Sequence, residues 1–224
     1  MWRGCSRWSL RAAASEKLDS CATTSVSQAL KMAERSRQVG LQFRERMVGP
    51  VAAGTADPEL GASRGRAAGT LLTLDLQVTI DDVGVCFDDP RHAARLEGTV
   101  EVPQLATAQP VRDGQLLLYV RDPATGTKHL RYCIGFRSDS GAEFFLSGAK
   151  ILHTPWASPR EQVTLYTRVH LGGPEGPVWG AGILAFRLRD LPAFLLSMRV
   201  VGASRFQGLR MFLGFAGREL TTPA

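Results

Sequence analysis

The chain has 224 residues, 44% of them hydrophobic, enough for one sizeable core and ordinary for a globular protein. Its formal net charge is +6, but residues 1–50 hold nine Lys or Arg against four Asp or Glu. The rest of the chain is therefore almost neutral and offers no basic face for nucleic acid. No apolar run approaches the roughly 20 residues of a membrane span. We predict neither nucleic-acid binding nor a transmembrane segment.

The first residues, MWRGCSRWSLRAAAS, contain three arginines and no acid, as mitochondrial targeting segments do. A disordered leader without a targeting role is the interpretation we favour for residues 1–24. The segment lacks the apolar stretch of a secretory signal, which predicts an intracellular protein, cytoplasmic rather than mitochondrial. The four cysteines form no CxxC pair, which is typical of reduced thiols.

Residues 25–69 are predicted to form a helix and a linker ahead of the main domain. Apolar residues recur at helical spacing over 25–37, and Gly40 follows as a helix terminator. After LQFRERMVG, the stretch 50–69 is rich in Gly, Ala and Pro and is predicted to be a loop. Residues 70–220 are then expected to form a single β-domain with terminal helices.

Residues 71–80, LLTLDLQVTI, alternate apolar and polar side chains, which predicts a strand with one buried face. Further strands are predicted near residues 96–102, 114–121, 128–137, 142–152, 162–171 and 178–188. Turn-forming residues such as Ser140-Gly141 separate them, and short connections favour hairpins. The sequence thus predicts a mainly β fold, an antiparallel barrel or sandwich of about 7–10 strands.

Helices are predicted at the ends of this β-domain. Residues 81–94 form a connection with a short helix starting near Asp89-Pro90, and Asp190 is expected to cap a helix over 191–198. A last helix is predicted over 205–215. With the N-terminal helix, these two C-terminal helices complete the fold class, and they are expected to cover a barrel end or a sheet edge.

Several motifs are better explained by structure than by chemistry. Residues 180–185, GAGILA, fit the pattern GxGxxA but lie inside a predicted strand, where glycines permit bends or close packing. The four aspartates at 81, 82, 88 and 89 suit turns and helix caps rather than calcium. Cys86 and Cys133 have apolar neighbours and are predicted to be small core residues. We predict no cofactor and no metal site.

The candidate ligand-binding residues fall within residues 150–170. Aromatic and cationic side chains there could hold the polar head of an apolar ligand above a barrel mouth. The alternative is that Trp156 fills the core beneath a loop. The predicted ligand-binding residues are Lys150, His153, Trp156, Tyr166 and Arg168. No catalytic residue is predicted, although His153 or His170 with a distant serine is kept as an enzyme alternative.

The order of several motifs resembles a known family. LQFRERMVG, GRAAG, LTLDLQVTIDDVGVCFDDPRHAARLEGTVEVPQL, VRDGQLLLYV, HLRYCIGF, FFLSGAKIL and VTLYTRVHL occur in that order over about residues 41–215. They resemble the accessory β-rich segment of long bacterial cholesterol-oxidase-like proteins, of the glucose–methanol–choline oxidoreductase class. The family's Lys, Trp and Thr-Leu-Tyr pattern matches Lys150, Trp156 and residues 164–166, whereas Pro155 and ASPREQV depart from it.

In that family a separate domain holds the FAD, so no flavin chemistry and no catalytic residue transfers to this chain. The resemblance implies an association with lipid or sterol metabolism and an oxidoreductase as partner. The leading hypothesis is a non-catalytic β-domain that binds an apolar small molecule or assists a lipid- or sterol-metabolising enzyme. One alternative is a small cofactor-free enzyme with a barrel-mouth acid or base. The other is a protein-interaction scaffold with a filled core and an exposed apolar patch.

Overall fold

A computed structural model describes residues 38–122, 125–152 and 163–221. Within the compact unit formed by Val39–Ala224, ten strands belong to one antiparallel sheet. The strands are β1 (Gly40–Ala53), β2 (Leu71–Ile80), β3 (Ala93–Val102), β4 (Ala106–Pro110), β5 (Arg112–Arg121), β6 (Lys128–Arg137), β7 (Glu143–Leu152), β8 (Thr164–Leu171), β9 (Val178–Phe186) and β10 (Arg199–Val201).

Eight of these strands close into a barrel. Their order is β1, β2, β3, β5, β6, β7, β8 and β9, and β9 pairs again with β1. The short strands β4 and β10 pair with β3 and β1 outside this ring. The barrel alternative of the predicted fold is therefore confirmed. Strand β1 was not predicted, so the barrel begins at Gly40 rather than near residue 70.

The barrel interior is a packed core. Along β2 the even-numbered residues point inward and are essentially inaccessible to solvent, as the alternation predicts. Inward residues of the other strands join them in one cluster that includes Met47, Tyr132 and Phe136. Aromatic rings at the end near the β6–β7 turn also meet, with the Phe136 and Phe144 centroids 5.6 Å apart. Side chains fill this barrel, as they do in many eight-stranded barrels.

Glycines line the seam where β1 and β9 close the barrel. A Cβ atom added to Gly182 would lie 2.2 Å from the Pro50 carbonyl oxygen, and one added to Gly180 would lie 2.5 Å from the Ala52 carbonyl oxygen. Only residues without a Cβ allow the two backbones to approach this closely. The GAGILA motif is therefore part of a strand, as predicted, and its glycines serve close packing.

Two helices lie where the sequence predicted otherwise. The stretch 50–69 is not a loop, because it contains helix α1 (Pro58–Ala68), capped by the Asp57 carboxylate. Its Gly61 and Gly65 bring the helix axis close to the β9 and β1 backbones. Helix α2 (Val83–Asp88) follows the Asp82 N-cap and is followed by Asp89 as its C-cap, so the predicted helix start at Asp89-Pro90 is wrong.

Two helices cover one end of the barrel, here called the helical end. Helix α3 (Leu191–Ser197) follows a short 3-10 turn, and α4 (Arg205–Thr221) follows β10. Both contact Phe43, whose ring lies 5.2 Å from Phe194 of α3 and 6.2 Å from Phe212 of α4. The two predicted C-terminal helices thus exist, but the Asp190 side chain makes no capping hydrogen bond. The predicted helix at 25–37 lies outside the described residues.

No helix in the described ranges combines the length and apolarity needed to cross a membrane.

Candidate functional site

The structure separates the predicted ligand-binding residues. Lys150 of β7 points into the barrel and is buried, whereas Arg168 of β8 points outward and is exposed, with Tyr166 half-buried on the same outer face. His153 and Trp156 lie outside the described residues. The predicted ligand-binding residues that the structure describes therefore lie on opposite sides of the barrel wall, Lys150 inside and Tyr166 and Arg168 outside.

Inside the barrel, Glu45, Tyr132 and Lys150 form an interior cluster. The Tyr132 hydroxyl donates a 2.7 Å hydrogen bond to Glu45 Oε1, and Lys150 Nζ lies 3.4 Å from Glu45 Oε2. The Lys150 ammonium also lies 5.1 Å from the centroid of the Tyr132 ring. Strands β1 and β6 are four positions apart in the ring of eight, so the hydroxyl bond crosses the interior from wall to wall.

This cluster braces the barrel and occupies the space an interior ligand would need. Its three side chains are at most 7% exposed, and each contacts another charged or polar member. Burial raises the pKa of Tyr132 well above 10.0, and the negative charge of Glu45 adds to that effect. The phenol therefore stays protonated and keeps its donor role. We interpret the cluster as structural.

Ionisation of two tyrosines, the buried Tyr132 and the partly buried Tyr119, should destabilise the fold in alkali. Burial raises the pKa of Tyr119 from 10.0 to about 12, with the charge of Glu219 as a second cause. A raised pKa means that the stabilising contribution is complete below the unfolded-state pKa and is lost as the pH rises through the folded-state pKa. We therefore expect the free energy of unfolding to fall above about pH 10.

Urea titrations between about pH 8 and about pH 11 would measure this loss. The variant with Tyr119→Phe and Tyr132→Phe should be less stable at neutral pH but should lose less stability in alkali than the wild type. An equally steep alkaline loss in the double variant would contradict the assignment to these two tyrosines.

On the outside, a cavity of about 700 Å³, here called the outer groove, lies against β6, β7 and β8 beside the start of α1. Outward residues of the three strands line it because they alternate with the core residues of the same strands. Phe145, Ala149 and Ile151 form an apolar floor. Polar lining residues come from the neighbouring positions: Arg131, Ser147, Tyr166 and Arg168.

Hydrogen bonds hold the charged walls of the outer groove in place. Arg168 Nε donates to the Ala56 carbonyl at 2.8 Å, which ties β8 to the segment ahead of α1. On the other side, Arg131 lies 3.4 Å from Asp122. Cys133, predicted to be a core residue, instead faces the groove and is half-buried, and burial raises the pKa of its thiol. Cys86 does belong to the core, as predicted.

A serine and a histidine meet at the edge of the outer groove. Ser147 Oγ lies 3.1 Å from His170 Nε2, and His170 Nδ1 lies 3.0 Å from the Gly176 carbonyl oxygen. A carbonyl can only accept, so Nδ1 carries a proton, and in the neutral imidazole Nε2 then accepts from the serine hydroxyl. His170 was a candidate from the sequence, but its contact with Ser147 could not be predicted. That contact depends on the β7–β8 register, in which Phe145 lies opposite His170.

Within the described ranges, no group of three His, Cys, Asp or Glu side chains is placed to hold a metal ion. No known protein family, curated protein or solved structure matches the chain. The resemblance to the accessory segment of cholesterol-oxidase-like proteins therefore stays a prediction.

Proposed function

We propose that this protein binds an apolar small molecule carrying a single hydrogen-bonding group, of the sterol or lipid class, in the outer groove. The observation that carries the proposal is the groove itself, where an apolar floor lies beside Tyr166, Arg168 and Ser147. Its volume of about 700 Å³ falls in the range of small-molecule sites. An apolar body would cover the floor while its polar group reaches the walls.

The outer groove supports this function better than the barrel interior does. In the barrel interior, packed apolar side chains and the hydrogen-bonded pair of Tyr132 and Glu45 occupy the space between the strands. A ligand there would have to displace a bonded charge pair, which costs several kcal/mol. In the groove, a ligand needs to displace only solvent.

The charge of the groove favours a neutral ligand over a strongly anionic one. Arg131 and Arg168 line the groove together with Asp57 and Glu59 of the α1 start, so the formal charges of these four lining residues cancel. Polar selection then rests on hydroxyl and imidazole groups, which suit an alcohol or a carbonyl.

Binding of cholesterol, with oleate as an anionic comparison, tests the proposal on the full chain by native mass spectrometry. The wild type should bind cholesterol with the higher affinity. Ala149→Phe fills the floor and should weaken binding about tenfold or more, because it removes the apolar contact area. Thr73→Phe, an outward change on β2 away from the groove, is the matched control and should bind as the wild type does. Failure of both probes to bind, or equal binding by Ala149→Phe, would overturn the proposal.

A second function, hydrolysis of an ester of the same ligand class, is favoured by one observation. The Gly176 carbonyl fixes the His170 tautomer that can take a proton from Ser147. A fluorophosphonate probe tests it, because an activated serine oxygen attacks phosphorus and releases fluoride. Labelling that Ser147→Ala abolishes would support the hydrolase, and absence of labelling in the wild type would rule it out.

A further inference from the structure

Large apolar side chains are exposed on α3, β10 and α4, at the helical end of the barrel. Leu196 of α3 is 78% exposed, Val201 of β10 is 67% exposed, and Phe206 of α4 is 77% exposed. Leu195, Met211 and Leu213, from the same two helices, add to this set. Elements that already cover a core rarely carry so many exposed apolar side chains without a binding role. This group of six is called the apolar patch below.

Helix α4 is apolar on two opposite faces. One face packs on the barrel, where Phe215 is buried and a Cβ added to Gly208 would lie 2.5 Å from Val200. The opposite face carries Phe206, Arg210 and Leu213, at helical spacings of four and three residues. All three are exposed. The outward face of α4 thus offers apolar side chains with an arginine between them.

Arginines surround the apolar patch. Leu196 lines two cavities, one shared with Arg44 and Arg46 and the other with Arg44 and Arg199. Around α4, Met211 lines a cavity with Arg210 and Arg218. The side chains of all five arginines are exposed.

The cavities that hold the apolar patch are lined by these five arginines and by three acids, of which Glu45 points into the barrel and pairs with Lys150. Asp75 and Asp190 line the cavity of Leu196, and Asp190 lies 3.9 Å from Arg189. Glu219 of α4 contacts Lys128 at 2.8 Å, so its charge is compensated on the barrel side. The patch therefore combines exposed apolar side chains with an excess of positive charge.

We propose that the helical end docks on an anionic lipid bilayer. Leucine and phenylalanine side chains gain free energy by entering the interface between head groups and acyl chains, and arginines bind the phosphates beside them. Each arginine near an anionic surface contributes about 1 kcal/mol, a factor of about five in binding. This surface is separate from the outer groove, so the inference does not depend on the proposed ligand.

Co-sedimentation of the full chain with vesicles tests the docking. Phosphatidylcholine vesicles containing phosphatidylserine should bind the protein, and pure phosphatidylcholine vesicles should bind it far less. The variant with Phe206→Ser and Leu213→Ser should partition about tenfold less onto the anionic vesicles, because both side chains are solvent-exposed and available for insertion. Leu171→Ser, which changes the 42% exposed last residue of β8, is the matched control and should bind as the wild type does.

A charge variant separates insertion from simple attraction. Arg44→Gln with Arg199→Gln should also weaken binding about tenfold or more, and added salt should weaken the wild type. Equal binding by the wild type and the serine variant would overturn the proposal. So would a wild-type protein that ignores anionic vesicles but forms a dimer that the serine variant breaks, because the occupant would then be a second copy of the chain.

Discussion

Replacing Glu45 by alanine is expected to lower the free energy of unfolding by about 3–5 kcal/mol. The change removes the acceptor of the Tyr132 hydroxyl and the counter-charge of Lys150, whose side chain is 5% exposed. An uncompensated ammonium in a packed barrel carries the desolvation cost of a buried charge with nothing to offset it. Since whole domains are stable by about 5–15 kcal/mol, this loss would be a large fraction of the total.

Urea unfolding followed by circular dichroism measures this effect. The double variant Glu45→Leu with Lys150→Met should recover much of the stability, because it replaces the ion pair by apolar groups of similar size. Glu97→Ala is the control, since Glu97 lies on the surface beside Arg95 and exposed pairs contribute at most about 1 kcal/mol. A Glu45→Ala protein within about 1 kcal/mol of the wild type would contradict the bracing role of the interior cluster.

Replacing Gly182 by alanine is expected to destabilise the protein by about 3 kcal/mol. The new Cβ would lie 2.2 Å from the Pro50 carbonyl oxygen and 2.8 Å from the Val51 Cα. Both atoms belong to the backbone, so relief requires β1 and β9 to separate at the closing seam. The cost is larger than that of a clash with a flexible side chain, which could move aside.

Thermal and urea unfolding should both show the loss at Gly182. Gly173→Ala is the matched control, because the turn between β8 and β9 leaves open space around its Cα and that glycine has no left-handed backbone angle. It should change stability by less than about 0.5 kcal/mol. A Gly182→Ala protein as stable as Gly173→Ala would contradict the close approach of the two strands.

The seven barrel strands other than β1 were predictable because each has an alternation of apolar and polar residues and a turn at its end, whereas the short outer strands β4 and β10 were not predicted. Strand β6 was predicted with its observed bounds, and β7, β8 and β9 within about two residues. Strand β1 was missed because Glu45 occupies an inward position, which breaks the alternation with a charge. Helix α1 was missed because glycines weaken helix propensity, although Gly61 and Gly65 are what allow the helix to approach the barrel.

The candidate site was predictable only in part. Tyr166 and Arg168 lie two residues apart on β8, so they share a face in any strand. Lys150 could have been assigned to the interior, because it has the same parity as Leu146 and Leu152 on β7. The contact between Tyr132 and Glu45 depends on how the barrel closes, and the pairing of Ser147 with His170 depends on register. Neither contact can be inferred from the residue pattern of a single strand.

The oxidoreductase partner implied by the resemblance stays a prediction. Its support is the order of motifs in the sequence, and the barrel described here is compatible with binding a ligand without a partner. A lipid- or sterol-binding groove and a membrane-docking end would together place an apolar ligand next to the bilayer that supplies it.

Photoaffinity labelling with a diazirine analogue of cholesterol tests the central claim, that the ligand binds outside the barrel, most directly. Binding in the outer groove predicts saturable cross-links on outward residues of β6, β7 and β8, around Cys133, Ala149 and Tyr166. Excess cholesterol should abolish these cross-links, and Ala149→Phe should reduce them. Saturable cross-links on inward residues, such as Met47 or Leu74, would place the ligand inside the barrel and contradict the account.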